Sequence, residues 1–258
     1  MVAKCSIEAC PEDTTETPMT DTRSLTADET LQLEFNRWAE AGEGEKMEQH
    51  HLDITLKTLR LMDLRAGQTI LDLGCGSGWA TRLLAKIVGP LANETPNVVG
   101  LDISDEMIRL ARETFAEFNN IRYVVGSVTN IAEPNDSFDR ILSVESFYYY
   151  PNQGLALDEV FRVMAPGGRI YILINLYADN EYSLQWVDKL KVPVHVRSAA
   201  EYVAMLRQHG FEKASSQQIP DDTPTPDGYK TKSFKSLEDL RAFKRIGALL
   251  LTGSKPAS

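Results

Sequence analysis

Between residues 69 and 175, short apolar runs alternate with amphipathic stretches, and this rhythm narrows the available folds more than any other feature of the chain. Residues 69–73, 97–101, 121–125, 138–144 and 169–175 read as strands, and residues 77–88, 105–118 and 153–164 as helices. Ala80, Leu83, Leu84 and Ile87 recur at helical spacing in the first helix. Met107, Ile108, Ala111, Phe115 and Phe118 do so in the second, which suits one buried face each. Gly89-Pro90 stops the first helix and Pro166-Gly167-Gly168 the third. Asp105 and Glu106 fall in the first turn of the second helix, where the helix dipole favours negative charge. Strand–helix–strand units of this size build a parallel sheet through right-handed crossovers. The uninterrupted apolar run over 169–175 is that of a strand buried on both faces. The predicted fold class is therefore α/β, with a doubly wound, mostly parallel sheet.

Outside that stretch the rhythm changes. Residues 1–24 are rich in Thr, Glu, Asp and Pro and too poor in large apolar side chains to offset their ordering entropy, which predicts a disordered tail. Leu31, Phe35 and Trp38 share a helical face. A Gly- and Glu-containing stretch, Ala41-Gly-Glu-Gly-Glu-Lys-Met-Glu48, comes next. A second helix is expected from about residue 50 to residue 63, with Leu52, Leu56, Leu59 and Met62 inward. After residue 176 comes a polar and aromatic insertion over 177–198. Ser198-Ala-Ala-Glu201 is a capping box that opens a helix ending at Gly210. Strands over 211–219 and 246–252, with a proline-containing loop and a short helix between them, predict an antiparallel pair that completes a seven-stranded sheet.

Composition excludes several functions. Acidic residues outnumber basic ones 37 to 27, for a net charge of -10, the wrong balance for a nucleic-acid-binding module or an anionic membrane surface. No apolar run approaches the roughly 18 residues of a membrane span. No apolar signal core interrupts the acidic N-terminus, so a cytoplasmic protein is expected. Three cysteines, Cys5, Cys10 and Cys75, do not make a disulfide framework, and no metal site is predicted.

The densest motif is Ile70-Leu-Asp72-Leu-Gly74-Cys-Gly76-Ser-Gly78-Trp79, which joins a strand to a helix. Glycines there permit a tight turn and close approach of a ligand to the backbone, and the helix N-terminus offers free N–H groups. A dinucleotide fingerprint would need a sixth-position glycine where Trp79 stands. The spacing is instead D-x-G-x-G-x-G, and it resembles the first motif of the class I S-adenosylmethionine-dependent methyltransferases. Val98-Val-Gly-Leu-Asp102-Ile-Ser resembles the family's second strand, and Gly126-Ser127-Val128 its adenine-bracketing segment. Phe138-Asp139 and Ser143-Val-Glu145-Ser146 resemble the fourth strand and its exit, Ala165-Pro-Gly-Gly168 the turn before the fifth strand, and Gly247-Ala-Leu-Leu-Leu-Thr-Gly253 the terminal strand.

The resemblance implies S-adenosylmethionine as cofactor, in a Rossmann-like methyltransferase domain over residues 25–258. Helices within 25–65 would cap the cofactor, and insertions at 177–198 and 220–235 would lie over the acceptor site. It implies cofactor contacts from Asp72, Gly74, Cys75 and Gly76, and from Asp102, which would bind both ribose hydroxyls. Ile103, Met107, Ser127 and Val128 would lie at the adenine, and Glu145, Ser146 and Met47 elsewhere along the cofactor. The chain departs from the family in two places. Many members have Asp at the position of Ser127, and many small-molecule members have His where this chain has Phe147-Tyr148-Tyr149-Tyr150. Three consecutive tyrosines are not expected all to point inward, which leaves at least one to line the acceptor pocket. Any base would come from Tyr148, Tyr149, His51 or His195. The expected function is methyl transfer to a small-molecule acceptor, with no nucleic-acid or membrane partner. The alternatives are a non-catalytic S-adenosylmethionine-binding regulator and an NAD(P)-dependent oxidoreductase.

Overall fold

The computed structural model describes residues 24–231 and 233–257. The tail expected over residues 1–24 lies, apart from Ser24, outside the described residues, as do Cys5 and Cys10. One seven-stranded sheet forms the centre. Its strands are β1 (Ile70–Leu73), β2 (Val98–Asp102), β3 (Ile121–Val125), β4 (Phe138–Val144), β5 (Met164–Ile174), β6 (Glu212–Ile219) and β7 (Ala248–Ser254), in the order β3-β2-β1-β4-β5-β7-β6. β1 pairs in parallel with β2 and β4, β2 with β3, and β4 with β5. β7 runs antiparallel to both β5 and β6. The chain winds outward from β1 to β3, then returns to the other side of β1. That reversal leaves a crevice at the carboxyl ends of β1, β2 and β4, the position at which open α/β sheets bind ligands.

Strand periodicity explains the layers. In β1, Leu71 and Leu73 enter a core shared with α5 (Gln153–Val163) and α6 (Ala199–Gln208), while Ile70 enters the opposite core, with α2 (Glu43–Leu61) and α3 (Trp79–Val88). α4 (Asp105–Thr114) packs Ile108 and Ala111 on Tyr123 of β3 and on Cys75. α1 (Ala27–Glu40) crosses the crevice end of the sheet, and α7 (Leu237–Ile246) precedes β7. The predicted capping box opens α6, with Glu201 N–H donating to Ser198 Oγ and Ser198 N–H donating to the Glu201 carboxylate. No helix among the described residues is long and apolar enough to cross a membrane.

Several boundaries differ from the sequence expectation. α2 starts at Glu43, so the Gly- and Glu-containing stretch is helical. A helix-weakening glycine sits there because a Cβ on Gly44 would lie 3.1 Å from Ser77, and tertiary contact overrides local propensity. In α2, Ile54, Thr55, Thr58 and Leu59 face inward, whereas Leu56 is exposed. Ile87 is exposed too, and α4 ends at Thr114 with Phe115 as its cap. β5 begins at Met164 and carries Pro166-Gly167-Gly168 as an irregularity opposite Phe138–Arg140.

Candidate active site

The chain leaves β1 through Gly74-Cys75-Gly76-Ser77-Gly78 and enters α3. Gly74 has φ 69°, and a Cβ there would stand 2.5 Å from Cβ of Ser146, so only glycine lets the loop lie against the exit of β4. Gly76 has φ 52° with nothing within 4 Å of its Cβ position, and the loop is open on that side. Backbone N–H groups of Gly74 and Cys75 both donate to the Leu101 carbonyl, at 2.8 and 3.1 Å. Gly78, the N-cap of α3, has no side chain to cap the helix; the Asp72 carboxylate takes the Thr81 N–H in the first turn, and the positive end of the helix dipole faces the loop.

Asp102 closes β2 beside this loop. Its Oδ2 accepts the Gly76 N–H at 2.8 Å and its Oδ1 the Ser104 N–H at 2.9 Å, which fixes the carboxylate with further acceptor sites unused. Burial pushes its carboxyl above the usual range, against the lowering effect of these backbone donors. Asp72 is different. It lies on the α3 face of β1, where its carboxylate accepts the Thr81 hydroxyl at 2.7 Å, and burial pushes it up to about 7. It ties strand to helix beneath the loop and does not line the cleft.

That cleft lies between the glycine loop and the N-terminal helices, and its wall is mostly apolar. Of the residues predicted from sequence, Gly74, Cys75, Gly76, Asp102, Ile103 and Met107 line it. So do Val128, Glu145, Ser146 and Met47, and, of the candidate bases, His51 and Tyr149. Four predicted residues do not. Besides Asp72, the Ser127 hydroxyl is turned to Thr129 at 2.9 Å, within the turn after β3. The Tyr148 hydroxyl donates to Glu145 Oε2 at 3.0 Å, inside the core. His195 serves through its backbone, its N–H donating to the Tyr148 carbonyl at 2.8 Å. The expectation that the tyrosine run cannot be wholly buried also fails. A single 3-10 turn over Phe147–Tyr149 sends successive rings in different directions, and all three tyrosines are buried, with Tyr149 and Tyr150 on the cleft.

The insertions at 177–198 and 220–235 contribute no residue to the cleft wall. The second instead braces α2, where Lys57 Nζ donates to Asp53, to Asp222 and to the Pro220 carbonyl at 2.6–2.7 Å. The cover comes from α1 and α2, through Leu31, Phe35, Trp38, Met47 and His51. α1 is pinned over the start of α4 because Asn36 Nδ2 donates to Asp105 at 2.8 Å and Ser104 Oγ donates to Asn36 Oδ1 at 2.6 Å. α2 is held to α3 by the Arg82–Glu48 ion pair at 2.8 Å. Leu31, Phe35 and Trp38, a face found by periodicity within the helices expected to cap the cofactor, lie on the cleft wall. Trp79 and Tyr150 also line the cleft without having been predicted to touch the cofactor.

Two polar groups on the wall stand out. Glu145 has φ 54°, a left-handed conformation uncommon for its residue type. Both carboxylate oxygens are engaged, Oε1 by the Asn175 N–H at 2.7 Å and Oε2 by Tyr148, and burial pushes the carboxyl up to about 8. His51 has a buried Nδ1 without a hydrogen-bond partner among the described residues, and burial, helped by His50, lowers it to about 4. It is therefore a neutral imidazole at neutral pH.

Residues 70–168 match a family described as methyltransferase domain. Over 190 residues the chain is 30% identical to Methyltransferase phqN of Penicillium fellutanum, covering 66% of this chain and 56% of that protein. It is 27% identical to 27-O-demethylrifamycin SV methyltransferase of Amycolatopsis mediterranei, covering 83% and 87%. The chain spans about half the length of several curated relatives it matches, 56%, 54% and 50% of three of them. Among solved structures it resembles a chain of the complex between the Haloferax volcanii Trm112 methyltransferase activator and a methyltransferase. There the TM-score is 0.79 and the identity 31%, over 86% of this chain and 98% of that one. A SAM-dependent methyltransferase of Thermotoga maritima, 20% identical with a TM-score of 0.61, shares the fold. Given 31% identity across almost all of a chain with the same fold, and a domain match that starts at the glycine loop, the protein belongs to the class I S-adenosylmethionine-dependent methyltransferase family.

Proposed function

We propose that the protein transfers a methyl group from S-adenosylmethionine to a small-molecule acceptor bound in the cleft beneath α1 and α2. The observation that carries this reading is the cover. The chain's own N-terminal helices lie over the crevice and leave a partly covered, mostly apolar space beside the glycine loop. The residues present fit the cofactor. Gly76 leaves the loop open, Asp102 keeps acceptor sites for a pair of ribose hydroxyls, and the positive end of the α3 dipole faces the loop, where a carboxylate is favoured. Ile103, Met107 and Val128 would pack on the adenine, with Met47, Cys75 and Ser146 along the rest of the molecule. Bound there, the cofactor supplies a methyl group on a sulfonium that leaves as a neutral thioether.

The protein's part is positioning and exclusion of water. α1 and α2 shield the site, while the turn after β4 holds Ser146 and Tyr150 at 2.9 Å from each other against the loop. Where the acceptor must lose a proton early, His51 is the better placed of the candidate bases on the wall, being neutral with an unpartnered nitrogen. Burial pushes the Tyr149 hydroxyl well up, which disfavours its ionised form. The test is to incubate the protein with S-adenosylmethionine labelled on its methyl group and separate small-molecule, protein and RNA pools of an extract. Label in the small-molecule pool is expected; label only in protein or RNA contradicts the reading.

A second reading is supported by the likeness to the Haloferax volcanii chain, which was solved in complex with the Trm112 activator. On that reading the protein works with an activator protein and on a larger substrate. It requires stable co-purification with a Trm112-type protein, and turnover that depends on it.

A further inference from the structure

Resting on the methyltransferase reading, we infer that the acceptor is an amine, recognised as a cation by a three-ring corner of the cleft together with Glu145. The corner is made by Phe35 and Trp38 of α1 and Tyr149 of the turn after β4, all on the cleft wall. Ring centroids lie 5.3 Å apart for Phe35 and Trp38, 5.0 Å for Phe35 and Tyr149, and 6.3 Å for Trp38 and Tyr149. The interplanar angles are 70°, 86° and 86°. Three mutually near-perpendicular rings form the inner corner of a box. An ammonium seated there meets the negative π-system of more than one ring, the arrangement by which aromatic cages hold substituted ammonium groups. The corner is fixed before any ligand arrives, because Trp38 Nε1 donates to Glu34 Oε1 at 2.9 Å and the Tyr149 ring packs on that of Tyr148, tilted by 50° with centroids 4.5 Å apart.

Charge on the wall points the same way. The lining residues include two carboxylates, Asp102 and Glu145, and no lysine or arginine. An anionic acceptor would meet no fixed positive side chain there. With Asp102 assigned to the ribose, Glu145 is the acid left for the acceptor. The Asn175 N–H and Tyr148 hydroxyl hold it at the exit of β4, in a left-handed backbone conformation that few non-glycine residues adopt. A carboxyl pushed up to about 8 by burial lacks a cationic neighbour, and an ammonium supplies one. The step balances without any other reactant. Bound as an ammonium, the acceptor first passes one proton to the Glu145 carboxylate and from there to solvent. The lone pair this frees forms the new N–C bond as the methyl–sulfur bond breaks, its electron pair remaining on sulfur, and the product is again an ammonium.

The test separates cation recognition from simple apolar fit. The probes are choline and 3,3-dimethylbutan-1-ol, which has the same shape without the charge, titrated by calorimetry into the full chain saturated with S-adenosylhomocysteine. Choline is expected to bind about ten-fold or more tighter than the neutral probe. Trp38→Leu is expected to remove most of that preference and to leave S-adenosylhomocysteine affinity within about two-fold, which also reports that the variant is folded; Glu145→Gln is expected to remove most of the preference as well, with its fold checked by circular dichroism. Equal binding of the two probes, tighter binding of the neutral one, or binding of neither to the S-adenosylhomocysteine complex overturns the amine inference and leaves the methyltransferase reading standing. Failure to bind S-adenosylhomocysteine at all removes both.

Discussion

At the scale of residues, the carboxylates at the strand ends separate into two kinds. Asp102 ends β2 facing the cleft, braced by two backbone donors, and Asp102→Ala is expected to cost about 1.5–3 kcal/mol of S-adenosylhomocysteine affinity, the worth of hydrogen bonds to a charged group. Calorimetry on the folded variant checks it; unchanged affinity would break the ribose assignment. Two of the three loop glycines separate in the same way. Gly74→Ala forces a Cβ against Ser146 and should lower the melting temperature, whereas Gly76→Ala meets open space. Gly76→Ala should therefore leave the fold more stable than Gly74→Ala does while still weakening the cofactor, as thermal melts with and without S-adenosylhomocysteine would show. Asp102 was assigned to the ribose from the resemblance of residues 98–104 to the family's second strand, and its place on the cleft wall supports that reading. Asp72 was assigned to the cofactor although strand parity already put it with Ile70, opposite Leu71 and Leu73, on the face that packs against α3. Ser127 was assigned by position in a motif, and its hydroxyl satisfies itself locally on Thr129.

At the scale of elements, caps and ties set what each helix contributes. Ser198→Ala removes an N-cap from α6, away from the cleft, and should cost about 1 kcal/mol of stability with cofactor affinity unchanged. Asn36→Ala cuts the bonds that hold α1 to Ser104 and Asp105, and should speed release of S-adenosylhomocysteine while the global melt moves little. Stopped-flow dissociation measures the first quantity and calorimetric scanning the second. Strands and their order were readable because alternating apolar periodicity and glycine punctuation act locally. The start of α2 was not, since two glycines read as a linker until Ser77 is brought against Gly44. The helices expected within 25–65 as a cap line the cleft, whereas the insertions at 177–198 and 220–235, expected over the acceptor site, contribute no residue to its wall, because where a loop falls depends on the path of the whole chain.

At the scale of the molecule, the buried acids give stability a distinctive pH dependence. Asp72 and Glu145 are raised to about 7 and about 8 in the fold, above the value near 4 of an unfolded carboxylate. Through that window the folded state holds protons the unfolded state has released, so their contribution to stability falls as pH rises from about 4 to about 8. His51, lowered to about 4, works in the opposite direction below pH 6.5. Difference measurements against variants isolate each effect. Glu145→Gln should flatten the decline up to about pH 8 and Asp72→Asn the part up to about pH 7, read from denaturant midpoints across pH. The central claim is that the crevice at the β1–β4 switch point is an S-adenosylmethionine site. It is tested most directly by calorimetric titration of the purified chain with S-adenosylhomocysteine, with NADH as the control. Micromolar binding of S-adenosylhomocysteine alone is the predicted result; binding of NADH in its place, or of neither, would contradict it.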